Sequence, residues 1–121
     1  PAVCDALRLV RLPYHLSSFT QAAAEAALAH APALLANVDS IRAQRDRIVS
    51  ELKAMGLDPY ESDANFVLFG GLEDSDQLWQ DLLEQGVLIR KTGIPGCLRV
   101  TAGTPAETSA FLTALKVALG G

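Results

Sequence analysis

Residues 86–107, GVLIRKTGIPGCLRVTAGTPAE, constrain the fold of this chain more than any other stretch. In Cys97-Leu98-Arg99-Val100-Thr101 the strand period of two sends Leu98 and Val100 to one face and Arg99 and Thr101 to the other, the pattern of a strand covered on one side. Val87-Leu88-Ile89-Arg90 reads as a second short strand. The turn-rich Lys91–Gly96 between them is short enough to bring Arg90 near Arg99 if the two strands pair. Thr104-Pro105-Ala106-Glu107 then marks a helix start: a capping hydroxyl, a proline at the first helical position, and a glutamate three residues on that can reach back to the cap amide.

The rest of the chain supplies partners for this unit. Residues 1–8 have the apolar spacing of a helix end, with Val3, Ala6 and Leu7 on one side, and Leu9–Ser18 reads as an extended connector through Pro13. Ser18 or Thr20 is placed to cap an alanine-rich helix, and Pro32 restarts the helix after a break near His30. The long helix that follows carries a stripe of Leu34, Val38, Ile41, Ile48, Leu52 and Met55, with Arg45 at the turn otherwise missing. Arg42 with Asp46, and Arg47 with Glu51, are four apart and suited to pair; Gly56 supplies the left-handed stop. Leu57–Tyr60 reads as a short strand. Asn65–Phe69 reads as a central strand covered on both faces and ended by Gly70-Gly71. Asp74 with Gln77 resembles a capping box for a helix turning Leu78, Leu82 and Leu83 inward, with Trp79 over the core beside them and Gly86 as its stop. The last helix points Phe111, Leu112, Leu115 and Leu119 inward. The order helix, strand, strand, helix, strand, strand, helix predicts an α+β fold, a small, mainly antiparallel sheet packed against helices.

At 121 residues the chain has the size of one domain. A formal charge of −4 argues against nucleic acid, which needs a basic face. Apolar runs are too short to span a bilayer, so no membrane partner is expected and the cytoplasm is the default location. Cys4 and Cys97 make no disulfide framework and read as small hydrophobes in apolar contexts; Cys97 lacks a histidine partner for nucleophilic chemistry. His15 and His30 have no companions at metal-ligand spacing, so no metal is expected. The planar guanidinium fork suits phosphate or carboxylate, and two forks brought together by neighbouring strands, Arg90 and Arg99, suit a dianion. The competing reading is an ordinary surface arginine at each position, with Arg90 the freer of the two beside Lys91 and the turn. Asn65 can cap a strand end or bond a neighbouring backbone group, and Tyr14 can pack with its hydroxyl finding a partner.

Three segments in order carry a family resemblance: Val10-Arg11-Leu12-Pro13-Tyr14-His15-Leu16-Ser17, Ser62-Asp63-Ala64-Asn65-Phe66-Val67-Leu68, and the LIR, turn, GCLRVTAGTPAE run. Together they resemble histidinol-phosphate aminotransferases, pyridoxal-phosphate enzymes of the fold type I aminotransferase group, in actinobacterial wording. The resemblance implies the C-terminal small domain of such an enzyme at residues 19–121, preceded by a connector, residues 1–18, from a missing large domain. It implies that Arg99 grips the anionic end of the substrate, that Arg90 helps, and that Asn65 and Tyr14 lie beside the substrate pocket. Family members are much longer, and their Schiff-base lysine lies in the large domain. Lys53, Lys91 and Lys116, the three lysines here, read as solvated surface residues. The expectation is therefore a substrate-binding piece with no catalytic residue of its own and no cofactor bound, inactive alone, from an enzyme that uses pyridoxal 5'-phosphate and acts as a homodimer in histidine biosynthesis. An aromatic-amino-acid aminotransferase fragment and a non-catalytic module for a small anionic metabolite are the alternatives.

Overall fold

The computed structural model describes residues 2–10 and 16–120, and the chain divides into two compact units, Pro1–Leu35 and Ala36–Gly121. In the first, helix α1 (Ala2–Val10) runs two residues past its expected end, and helix α2 (Ser18–Leu28) follows. The cap of α2 is Ser17, one residue earlier than predicted: its backbone stays extended, its hydroxyl accepts from the Thr20 amide at 3.1 Å, and its carbonyl already takes the Gln21 amide at 3.0 Å. Neither helix buries a residue, and Cys4 is exposed rather than packed. His30 marks the break before helix α3 (Ala31–Ala54). Its carbonyl accepts from Ala33 and Leu34, and Pro32 in the first turn forfeits no helical hydrogen bond.

In the second unit the predicted stripe of α3 works only in its later turns. Ile48 and Leu52 are fully buried and Ile41 and Met55 pack against the core, whereas Leu34 and Val38 are exposed. The predicted i,i+4 ion pairs do not form, because each partner has a closer or longer-range option. Arg42 pairs with Asp39, Asp46 with Arg45 at 2.8 Å, and Arg47 donates to the Ser109 hydroxyl at 3.0 Å. Glu51 pairs with Lys116 at 2.9 Å. These last two contacts tie α3 to helix α5 (Pro105–Ala118).

Four strands, β1 (Asp58–Pro59), β2 (Phe66–Gly70), β3 (Arg90–Lys91) and β4 (Leu98–Thr101), form an antiparallel sheet in the order β1-β2-β4-β3. Val67, Phe69, Leu98 and Val100 are buried on one face, in one cluster with side chains of α3, α5 and helix α4 (Ser75–Glu84). Burying each such side chain is worth about 1.5–3 kcal/mol. The predicted double coverage of β2 does not occur. Phe66 and Leu68, on the other face, are only half-buried, because all three helices feed the same side.

Asp74 caps α4 by accepting from the Asp76 and Gln77 amides, but Gln77 turns its own amide to Asp81 at 2.8 Å, so the reciprocal half of the predicted box is missing. The box of α5 is made in full. Leu83 and Leu119, both expected inward, are 38% and 43% exposed, Leu119 because the helix ends before it. Gly56 and Gly86 sit at φ 78° and 79°, the left-handed stops their positions predicted. The predicted strand Val87–Arg90 is replaced by the shorter β3. The Val87 amide turns back to Leu82 at 2.9 Å, and the Ile89 carbonyl accepts from Trp79 Nε1 at 2.7 Å. Among the described residues no helix is long and apolar enough to cross a membrane, and no group of His, Cys, Asp or Glu could hold a metal ion.

Candidate arginine site

Register decides the geometry of the two arginines. Arg90 and Arg99 are direct partners in the β3·β4 ladder, and Leu68 is the partner of Arg99 across β2·β4. Directly opposed residues of an antiparallel pair share a face, with Cα atoms about 4.5–5.5 Å apart. Arg90, Arg99, Leu68, Phe66 and Thr101 therefore occupy the face turned away from the helices. Two like charges so placed repel, and an anion between them relieves that repulsion.

The two side chains differ in support. The Arg99 guanidinium carbon lies 4.5 Å from the centroid of the Phe66 ring, a cation–π stack, and its Nε is buried without a hydrogen-bond partner among the described residues. Arg90 is exposed. Its two neighbours are held: Ile89 through its carbonyl to Trp79, and Lys91 by an ion pair to Asp76 and a position 4.6 Å over the Trp79 ring. A cleft of about 860 Å³ opens beside the pair, lined by both arginines, Thr101, Gly103, Glu107 and Thr108. The Thr108 hydroxyl is buried there with no partner among the described residues. The backbone amide of Thr104, and after it the hydroxyl, hold the Glu107 carboxyl below its ordinary value of 4.5, so the rim of the cleft carries a carboxylate as well as the cations.

Asn65 precedes β2 and is exposed; its carbonyl accepts from the Ala102 amide at 2.8 Å, which extends the β2·β4 pairing by one rung. It sits at the end of β4 from which the chain enters α5. Tyr14, the fourth candidate, lies outside the described residues. Cys97 is buried, and His30 is exposed in the first unit. Lys53 is exposed, whereas Lys91 and Lys116 are engaged by Asp76 and Glu51 rather than simply solvated. Sequence reasoning passed over Phe66, Trp79 and Thr108 as site residues. No local signal marked Phe66, because its place on the arginine face follows from the β2·β4 register, in which Phe66 pairs with Thr101 and Leu68 with Arg99. Guanidiniums do not give up protons in proteins, so this face can bind and orient an anion but not move a proton through its arginines.

Residues 1–115 match the family described as aminotransferase class I and II. The chain is 64% identical over all of its 121 residues to a histidinol-phosphate aminotransferase of Paenarthrobacter aurescens strain TC1, and 58% identical over 96% of its length to one of Streptomyces avermitilis. It covers 32% and 31% of those relatives, so it spans about a third of their length. Its fold superimposes with a TM-score of 0.76 and 27% identity on the histidinol-phosphate aminotransferase of Sinorhizobium meliloti, solved in complex with pyridoxal-5'-phosphate, over 98% of this chain and 34% of that one. The α+β sheet predicted from the strand and helix order is thus the one found in solved aminotransferases, and the chain belongs to the aminotransferase class I and II family.

Proposed function

We propose that this chain is the C-terminal small domain, residues 19–121 behind a connector at 1–18, of a histidinol-phosphate aminotransferase. The intact enzyme exchanges an amino group between histidinol phosphate and 2-oxoglutarate, giving imidazole-acetol phosphate and glutamate, in cytoplasmic histidine biosynthesis. The observation that carries this reading is the pairing of Arg90 with Arg99 across one ladder, on the face the helices leave open. Arg99 takes the phosphate or carboxylate of the substrate and Arg90 completes the grip, with Asn65 and Tyr14 beside them. Binding energy gathered at the anionic end orients the reacting carbon, which converts affinity into rate only where the grip tightens at the transition state.

Pyridoxal phosphate supplies the carbanion stabilisation in such an enzyme. The lysines here do not fit its attachment: Lys91 and Lys116 are committed to carboxylates and Lys53 is exposed at a helix end. We therefore place the cofactor lysine outside this chain, in the large domain of a homodimer, and the chain alone is inactive. In the full-length enzyme Arg99→Ala should lower kcat/KM for histidinol phosphate by roughly 30-fold or more, about 2 kcal/mol or above, with cofactor absorbance intact. Loss of cofactor absorbance instead would put Arg99 elsewhere, and faster turnover of aromatic amino acids than of histidinol phosphate would transfer the reading to an aromatic-amino-acid aminotransferase.

A further inference from the structure

We propose that Trp79 is a positioning residue for Arg90: its indole fixes the backbone on which Arg90 stands and so sets the spacing between the two guanidiniums. This rests on the reading of Arg90 as part of the anion grip. β3 is two residues long and lies at the sheet edge, and among the described residues its only ladder is the Arg90 and Lys91 pairing with β4. The ladder stops at Arg90, and the residue before it contributes its carbonyl to Trp79 Nε1 at 2.7 Å in a part-buried hydrogen bond. On the other side, Lys91 is pinned over the same ring at 4.6 Å and by Asp76. One side chain on α4 thus touches both neighbours of an arginine that is itself exposed. A buried carbonyl left without its donor costs more than the hydrogen bond is worth, so the indole N–H specifies this backbone path rather than merely tolerating it. Phenylalanine at position 79 deletes that donor and leaves a smaller ring against the core and under Lys91, with a weaker cation–π contact.

The test uses the full-length enzyme and the variants Trp79→Phe, Arg90→Ala and both together. Amide hydrogen exchange of residues 88–91 in Trp79→Phe is expected to quicken about tenfold, with the β2·β4 ladder unchanged. KM for histidinol phosphate is expected to rise about three- to tenfold at nearly constant kcat, and Trp79→Phe is expected to add nothing on top of Arg90→Ala, since coupled residues do not add. Unchanged exchange at 88–91 overturns the proposal, as does a KM effect that persists undiminished in the Arg90→Ala background. Quickened exchange with KM unmoved in all three variants keeps Trp79 as the anchor of the Arg90 backbone and sinks the reading of Arg90 as a substrate grip.

Discussion

The segment α4–β3 and the segment β4–α5 are built from the same parts, a capped helix and an arginine strand, and they hold their arginines very differently. β4 pairs on both edges, with β2 and β3, and buries Leu98 and Val100. It runs into α5, whose capping box is made in full and which buries Thr108, Phe111, Leu112, Ala114 and Leu115. β3 pairs on one edge only, and α4 has half a box and buries only Leu78 and Leu82. Arg99 inherits its rigidity from two ladders and the Phe66 ring; Arg90 depends on one short ladder and on side chains reaching across from α4. The difference teaches that the orientation of a surface guanidinium is set by how many independent restraints act on its backbone, and a strand in the middle of a sheet supplies more of them than one at the edge.

The harshest way to break this comparison is to hollow out each helix. Leu115→Ala in α5 and Leu82→Ala in α4 both remove a fully buried side chain, and each should cost about 2–5 kcal/mol. Urea denaturation should place Leu115→Ala at the upper end, because α5 packs more of its length into the core. Equal losses would mean that α4 is as firmly integrated as α5. A subtler pair keeps the charge and changes only the fork. On the proposed reading, Arg99→Lys loses both the bidentate geometry and the stack on Phe66, whereas Arg90→Lys loses only the fork. The KM penalty for histidinol phosphate in the full-length enzyme should then be about tenfold larger at position 99, or about 1.4 kcal/mol. A larger penalty at position 90 would reverse the ranking of the two arginines. Smaller still are the caps. Thr104→Ala should cost about 1 kcal/mol, since the hydroxyl both accepts from the Glu107 amide and donates to its carboxylate, and Asp74→Ala should cost less than that. Thermal midpoints of the two variants would rank them.

How far the sequence could be read follows the same division. Leu98-Arg99-Val100-Thr101 and Thr104-Pro105-Ala106-Glu107 are local signals whose outcome depends on few other residues, and β4, the complete box of α5 and the facing of Leu98 and Val100 came out as expected. The edge was less legible. Nothing in Val87-Leu88-Ile89 announces that Trp79, ten residues earlier, will take the Ile89 carbonyl and leave β3 only two residues long. Charge pairs failed for a related reason. Spacing of four allows Arg47 to meet Glu51, but Ser109 and Lys116, about sixty residues away, offer contacts that no local rule could weigh. For the site, the pairing of Arg90 with Arg99 was readable from strand and turn lengths. The Phe66 stack needed the register of β2 against β4, and the buried Thr108 hydroxyl needed the seating of α5.

The gentlest test separates the two segments by pH. The Glu107 carboxyl at the head of α5 is held below 4.5 by the Thr104 amide and then its hydroxyl, and Glu51, which joins α3 to α5, is lowered chiefly by its hydrogen bond from Lys116 and by that ammonium's charge. A folded-state pKa below the unfolded one means that the folded chain holds its proton less tightly. The stabilisation is therefore fully present above about pH 4.5 and is lost as the pH falls from there through the depressed folded value. Glutamine at position 107 can still accept at the cap amide but does not titrate, so Glu107→Gln should leave the melting temperature near neutral pH almost unchanged and flatten its decline below pH 4.5. Both carboxylates are exposed, so the flattening should be slight and should shrink further in added salt for Glu51→Gln, whose partner is a surface ammonium. It should shrink less for Glu107→Gln, whose partner is a backbone amide fixed by the helix. Parallel acid profiles for both variants and the parent would mean that the acid sensitivity of this fold is carried by carboxylates other than Glu51 and Glu107, and the second segment would lose one of the features that sets it apart from the first.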